Sequence, residues 1–355
     1  MRPALRRARE RALTARAAEF DARHFGPVLV TGASGFIGRR LSESFAADGA
    51  DVVGLTRGPN AIPVAGVRTA MTTDLLDRES LRRALAGIET VVHLAARVHA
   101  RPEGKNDPAS ECRRLNVEGT RAVLEESVAA GVSRFVFISS VKAVADHSDS
   151  MLDETTPPRP HDTYGETKLE AERLVRMVAR RDGLHAPVLR LPLVYGPGIK
   201  SNMLRLFSAV RRGLPLPLGS VRNRRSFAHV DNVVEAVRAV LRTAAAGDET
   251  FFVSDGADLS TPELVRRIAT ALGARARLLN VPVSALQAAG GTGYLLSRIL
   301  RFHYTSDSLN ALIGSLFVDI SKLQQMTGYS APVSVDQGLS QTAAWLNAQD
   351  TAGSR

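Results

Sequence analysis

Tyr164 and Lys168 stand four positions apart at the head of Thr163 to Arg181, a charged segment with apolar residues at helical spacing. Side chains four apart share one face of a helix, so this spacing sets a phenol beside an ammonium. A free phenol titrates near about 10, and an adjacent cation favours its phenolate. The pair therefore predicts a tyrosine with a lowered pKa that exchanges a proton at neutral pH. Ser140 lies 24 positions before Tyr164, at the end of the apolar run Arg134 to Ser139. Its hydroxyl can hydrogen-bond the same substrate oxygen. Serine, tyrosine and lysine in this order suit acid/base work on a carbonyl or a carbinol.

Such chemistry needs a redox partner, and the chain carries a site for one. The apolar run Val28-Leu29-Val30 leads into Thr31-Gly32-Ala33-Ser34-Gly35-Phe36-Ile37-Gly38, which reads as a strand turning tightly into a helix. Glycine is needed where the turn takes positive φ, where backbone approaches phosphate, and where helix packs on strand; Gly32, Gly35 and Gly38 fill those places. The unpaired amides after Gly35 and the positive end of the helix dipole then face an anion. Ser34, Phe36 and Ile37 complete the expected cradle.

The elements that hold these residues alternate. Strand-like stretches at Asp51 to Arg57, Thr90 to Ala95, Arg134 to Ser139 and Pro187 to Val194 are interleaved with helical patterns at Asn116 to Ala130 and Thr163 to Arg181. This order predicts an α/β fold, a doubly wound parallel sheet covered by helices, with ligands at the carboxyl ends of the strands. From Tyr195 onward Pro- and Gly-rich turns mix with short helices, which suggests a smaller C-terminal lobe. The expected organisation is a basic extension at 1–24, a dinucleotide-binding domain at 25–195 with a return segment at about 227–255, a substrate lobe at 196–226 and 256–349, and a tail at 350–355.

Composition narrows the options. The formal charge is +10, but 41 arginines against five lysines, scattered rather than grouped with aromatics, point to compositional bias and to small anionic ligands, not to nucleic acid. One cysteine, Cys112, excludes an intrachain disulfide framework and a zinc site built on paired cysteines; no metal is expected. No apolar stretch approaches the length of a membrane span, so a cytoplasmic protein is expected. The first 24 residues carry seven arginines and three acids and resemble a transit peptide in composition, with a disordered extension or a misplaced start codon as the alternatives.

The motifs, taken in order, resemble the landmarks of the extended short-chain dehydrogenase/reductase family. They are Thr31 to Gly38, Asp74-Leu75, His93-Leu94-Ala95-Ala96, Asn116-Val117-Glu118-Gly119-Thr120, Phe137-Ile138-Ser139-Ser140, Tyr164 to Lys168 and Leu193 to Gly198. The resemblance covers about Gly26 to Asn347. It implies a Rossmann domain with a sugar-nucleotide lobe, and a homodimer. It also implies that Tyr164 is the acid/base, that Lys168 holds the nicotinamide ribose and tunes Tyr164, and that Ser140 orients the reacting oxygen. Asp74 and Leu75 would meet adenine, and Leu94, Ala95, Ala96 and Asn116 would line the cofactor. In the lobe, Asn202 and Arg225 match residues that contact the diphosphate or sugar; a guanidinium fork suits a diphosphate.

Three departures refine the expectation. Members that eliminate water across the sugar carry an Asp-Glu pair directly after the hydroxyl residue; here Val141-Lys142 stands there, which removes the carboxylates that dehydration needs. Lys142 either reaches substrate or points to solvent. At the end of the second strand the usual ribose-binding acid is replaced by Thr56, followed by Arg57. Arginine attracts a 2′-phosphate, so NADP(H) is expected over NAD(H). Arg97 and His99 follow the third strand-like stretch and are expected to position the cofactor edge. The combined segments resemble most the members that reduce a UDP-4-keto-6-deoxy-N-acetylhexosamine to UDP-N-acetylquinovosamine for surface polysaccharide. The alternatives are a UDP-N-acetylhexosamine 4-epimerase holding NAD tightly and, from another class, a non-catalytic NADP(H)-sensing protein.

Overall fold

The computed structural model describes residues 25–58, 64–72, 74–98, 107–200, 202–291, 310 and 312–353. The basic segment 1–24, His99, Ser201 and the end of the 350–355 tail lie outside them. The described strands are β1 (Val28–Thr31), β2 (Val52–Arg57), β3 (Val67–Thr72), β4 (Thr90–His93), β5 (Arg134–Ser140), β6 (Val188–Leu191), β7 (Leu193–Tyr195), β8 (Phe227–His229) and β9 (Thr250–Phe252).

A seven-stranded sheet runs β3-β2-β1-β4-β5-β6-β9, and each of its neighbouring pairs is parallel. A strand covered on both faces must be apolar throughout, and Val28-Leu29-Val30 and Phe135-Val136-Phe137 are fully buried. The order reverses at β1: Thr31 is in register with Leu55 of β2 on one side and His93 of β4 on the other. The crevice beyond the carboxyl ends of β1 and β4 is therefore the topological switch point, where such sheets bind ligands.

Helix α1 (Phe36–Ala47) leaves β1, and α2 (Arg78–Leu85) leads toward β4. Next come α3 (Pro108–Arg113), a π-helical turn (Arg114–Glu118) and α4 (Gly119–Ala129), then α5 (Thr163–Asp182). The helical run expected from Asn116 thus begins earlier, at Pro108, where Asp107 caps the first turn through Ser110 N–H. The strand expected over Pro187 to Val194 is two strands. Pro192 has no N–H to donate to a sheet, and beyond it β7 leaves β6 to pair with β8.

Two apolar clusters pack on the sheet. One joins Leu41 and Phe45 of α1 to Val233, Val237 and Val240 of α7 (Val230–Arg242). The other joins Leu81 and Leu85 of α2 to Val123 of α4 and Leu174 and Val178 of α5. A third core lies apart, among α6 (Asn202–Arg211), α8 (Thr261–Ala271) and α11 (Val335–Gly353), with Phe207, Val265, Ile268 and Leu339 at its centre. Between them in sequence are α9 (Val283–Gly291) and α10 (Ser321–Thr327). Helix α11 continues through Gly353, into the stretch expected as a tail. Among the described residues no helix is long and apolar enough to cross a membrane.

Candidate active site

The turn after β1 is made by backbone at close quarters. Gly32 takes φ +69°, and a Cβ there would lie 3.1 Å from Ala95 N. A Cβ on Gly38 would lie 2.3 Å from the Gly32 carbonyl oxygen, a contact that backbone cannot yield. Helix α1 has Gly35 as N-cap, with no side-chain cap and no acid in its first turn, so its leading amides are left for a ligand. Around this turn lies a cavity of about 440 Å³. Gly32, Ser34 and Gly35 form its floor; Thr56, Arg57 and Thr72 close one end; Leu75, Leu94, Ala95 and Ala96 line the side. A second cavity of about 260 Å³ shares Gly32, Gly35, Leu94 and Ala96, and reaches past Phe36, Ile37 and Gly38 to Ser140, Tyr164 and Lys168. The two form one trough running from Arg57 to Tyr164.

This trough fits a dinucleotide. The glycine turn presents amides and no side chains to a pyrophosphate. At the Arg57 end the Thr56 hydroxyl is buried with no protein partner, a polar group left for a ligand. The wall between the ends is held by His93, fully buried at the end of β4. Its Nδ1 lies 2.8 Å from Thr31 Oγ1, which also accepts the Leu94 and Ala95 N–H groups, and its Nε2 lies 3.0 Å from Thr120 Oγ1. The Thr120 hydroxyl donates to the Asn116 carbonyl at 2.6 Å, so it accepts from Nε2–H, and Nδ1 accepts from Thr31. Burial pushes the imidazole down to about 3, so this bridge stays neutral and fixed.

Tyr164 and Lys168 lie on the first turns of α5, which Asp162 caps by accepting the Gly165 N–H at 2.7 Å. Ser140 hydrogen-bonds Tyr164, and both line one cavity with Lys168. Their electrostatics differ from expectation. Burial pushes the phenol up to about 12, against the opposing pull of Ser140 and Lys142. The Lys168 ammonium donates to the Ile138 carbonyl at 2.6 Å and lies 4.1 Å from the centre of the Phe137 ring. Burial, the larger influence, draws it down to about 7, while Glu172 holds it up. The phenol is thus protonated at neutral pH, its pKa raised by burial and not lowered as simple spacing predicts.

Other expected residues sit differently. Asp74 is outside the cavity lining; its carboxylate accepts the Leu76 N–H and pairs with Arg114 at 2.5 Å, leaving Leu75 to face the trough. Asn116 is 1% exposed. It accepts the Arg97 N–H and donates to the Arg97 carbonyl and to Thr167 Oγ1, so it braces the loop after β4 from behind. Lys142 lies outside the trough lining; its ammonium, part-exposed, lies 2.5 Å from Asp162 and 2.8 Å from Asp146. Asn202 opens α6 on the surface. Arg225 donates to the Gly314 carbonyl at 2.9 Å, and burial draws its guanidinium down to about 10, with no acid among the described residues holding it up. Neither lines the trough.

Sequence reasoning missed Leu191, Pro192 and Val194, which wall the Tyr164 end, and Val98 and Leu115. The first three follow once β6 is placed beside β5, since Ser140 is in register with Leu191. Also missed was the buried Glu172 of α5, which accepts Ser139 Oγ at 2.5 Å and both Arg190 Nε and Nη2, at 3.1 and 2.7 Å. Its signal was available: Tyr164, Lys168 and Glu172 follow one another at intervals of four.

Residues 28–253 match the family described as NAD dependent epimerase/dehydratase. The chain is 32% identical over 336 residues to a UDP-glucose 4-epimerase of Vibrio cholerae, covering 91% of this chain and 96% of the relative. It is 30% identical to an N-acetyl-alpha-D-glucosaminyl-diphospho-ditrans,octacis-undecaprenol 4-epimerase of Escherichia coli O157:H7, over 89% of this chain and 93% of that one. A ketoreductase of Stigmatella aurantiaca acting on a farnesylated quinoline oxide is 29% identical, over 88% and 94%. Among solved structures, MoeE5 in complex with UDP-glucose and NAD is similar at a TM-score of 0.71 and 31% identity, over 91% of this chain and 99% of that one. With the glycine turn, the switch-point trough and the serine, tyrosine and lysine at its far end, the chain belongs to the NAD dependent epimerase/dehydratase family of enzymes.

Proposed function

We propose that this enzyme reduces the 4-keto group of a UDP-4-keto-6-deoxy-N-acetylhexosamine with NADP(H). The observation that carries the cofactor choice, and with it the direction, is the Arg57 end of the trough. An acid there would bind the ribose hydroxyls of NAD and repel a 2′-phosphate; the chain offers a guanidinium beside an unpartnered Thr56 hydroxyl. Bound at this trough, the nicotinamide supplies the hydride for C4 of the sugar. Tyr164, held protonated, gives its proton to the C4 oxygen, and Ser140 holds that oxygen by hydrogen bonding. Lys168, when charged, steadies the negative charge that develops there. Leu94, Val98, Leu191 and Val194 give the Tyr164 end an apolar wall suited to a deoxy sugar. Arg225, a buried guanidinium beyond the trough lining with no acidic influence on it among the described residues, is the contact for a diphosphate in the substrate, with Asn202 as a second.

The second reading is 4-epimerisation with retained NAD, favoured by the likeness to two 4-epimerases at 32% and 30% identity. One assay separates them. Purified protein with the UDP-4-keto sugar should oxidise NADPH faster than NADH, and leave both untouched with UDP-N-acetylglucosamine. Arg57→Asp should weaken NADPH by about 10- to 100-fold while changing NADH little. Conversion of UDP-N-acetylglucosamine to its 4-epimer without net cofactor consumption would replace the reductase with the epimerase, and equal losses for both cofactors would sink the 2′-phosphate assignment.

A further inference from the structure

Lys142 occupies the 3₁₀ turn Val141–Ala143, directly after Ser140, and three of its groups touch the acid/base machinery. Its N–H donates to Ser140 Oγ at 3.2 Å. Its carbonyl abuts the first turn of α5, where a Cβ on Gly165 would lie 2.3 Å away. Its ammonium binds Asp162, the carboxylate whose other oxygen caps Gly165, and Asp146, whose other oxygen accepts the His161 N–H at 3.2 Å. One residue thus touches Ser140 and both flanks of Tyr164.

We propose that Lys142 is a positioning residue for the proton donor: it sets the turn that bears Tyr164 against Ser140 and balances the charge of Asp162 beside the phenol. This rests on Tyr164 being the proton donor. The groups that act on the phenol are Ser140 from β5, Lys142 from the turn, Asp162 from the cap of α5 and Cys112 from α3; Lys142 and Ser140 pull its pKa down, while burial, Asp162 and Cys112 push it up. Without the lysine, Asp162 loses this counter-charge and only Ser140 still pulls the phenol pKa down. The side chains of Lys142 and Asp162 are 41% and 42% exposed, and ion pairs that open to water stabilise a fold little. Loss of the lysine should therefore register in rate and not in folding.

The test compares Lys142→Met and Lys142→Arg with the parent on both candidate reactions, 4-keto reduction and epimerisation. Lys142→Met should lower kcat by about 10- to 100-fold while KM for the sugar nucleotide stays within about two-fold. The basic limb of the kcat profile in the reducing direction should move to higher pH, and Lys142→Arg should restore most of the rate. A ten-fold rise in KM at unchanged kcat would make Lys142 a substrate ligand, and an unchanged rate and profile would leave it no role; either result overturns the proposal. Carbon-13 tyrosine spectra of the free protein, with Tyr164 assigned through Tyr164→Phe, need neither substrate. The Tyr164 ring-carbon resonance should shift in Lys142→Met and return in Lys142→Arg. An unmoved resonance would overturn the proposal even if neither reaction were the enzyme's own, whereas a parent protein inactive on both sugars with a shifted resonance would fault only the proposed function.

Discussion

The two halves of the molecule hold their sites by different means. Around the seven-stranded sheet the backbone does the holding: continuous parallel registers, a glycine turn tight against Ala95, and strand ends that face one crevice. In the region that caps it, strands give way to isolated bridges, Arg225 with Leu259 and Leu316, and Leu216 with Leu278. Polar side chains tie the rest. Asn223 Nδ2 lies 3.0 Å from Thr261 Oγ1 and from the Leu312 and Gly314 carbonyls, and its Oδ1 accepts the Thr261 N–H. A site built on backbone fails when a side chain is added. A site stitched by side chains fails when one is removed.

Gly38→Ala should break the first half hardest. Its new methyl meets the Gly32 carbonyl, and the expected cost is about 3 kcal/mol of stability, with at least about 100-fold weaker cofactor binding because the turn must shift. Urea unfolding and cofactor fluorescence titration measure both. Asn223→Ala should break the second half. With several buried groups left unpaired, a loss of about 2 kcal/mol is expected, together with a raised KM for the sugar nucleotide and an unchanged cofactor Kd; a changed cofactor Kd would mean that the halves are not separable. The smallest effect sharpens the contrast by locating a buried charge in the backbone-built half. The Lys168 amine is drawn down to about 7 in the folded protein, whereas unfolded lysine titrates near about 10.4. Between these values the unfolded chain binds more protons, so stability from this group rises with pH. Lys168→Met should therefore gain on the parent by on the order of 1 kcal/mol at pH 7, and the gain should fade toward pH 10; urea midpoints across that range read it.

The same contrast explains what the sequence reveals. The glycine turn, β1, β5 and the Tyr164 helix are legible because each is coded within a dozen residues by periodicity, turn chemistry or a cap. Strand β3 was not, since Arg68, Thr69 and Met71 are exposed and its edge position leaves no buried apolar run to read. The break at Pro192 shows only once β7 is seen to pair with β8. The diversion of Lys142 onto Asp146 and Asp162, the enclosure of Asn116, and the pairing of Asp74 with Arg114 depend on partners brought together by topology, some of them 20 to 51 positions away. Spacing alone put Lys168 near Tyr164, but burial, a property of the whole fold, decided which way their pKa values moved.

The pairing of Glu172 with Arg190 and Ser139 has a further consequence. It rivets the helix that carries Tyr164 and Lys168 to β5 and β6, through side chains buried in the sheet core. Ser140, Tyr164 and Lys168 are thereby referenced to the same sheet that bears the glycine turn. Under the proposed function, such a scaffold would let the substrate change through the C-terminal region while the Ser140, Tyr164 and Lys168 arrangement is kept.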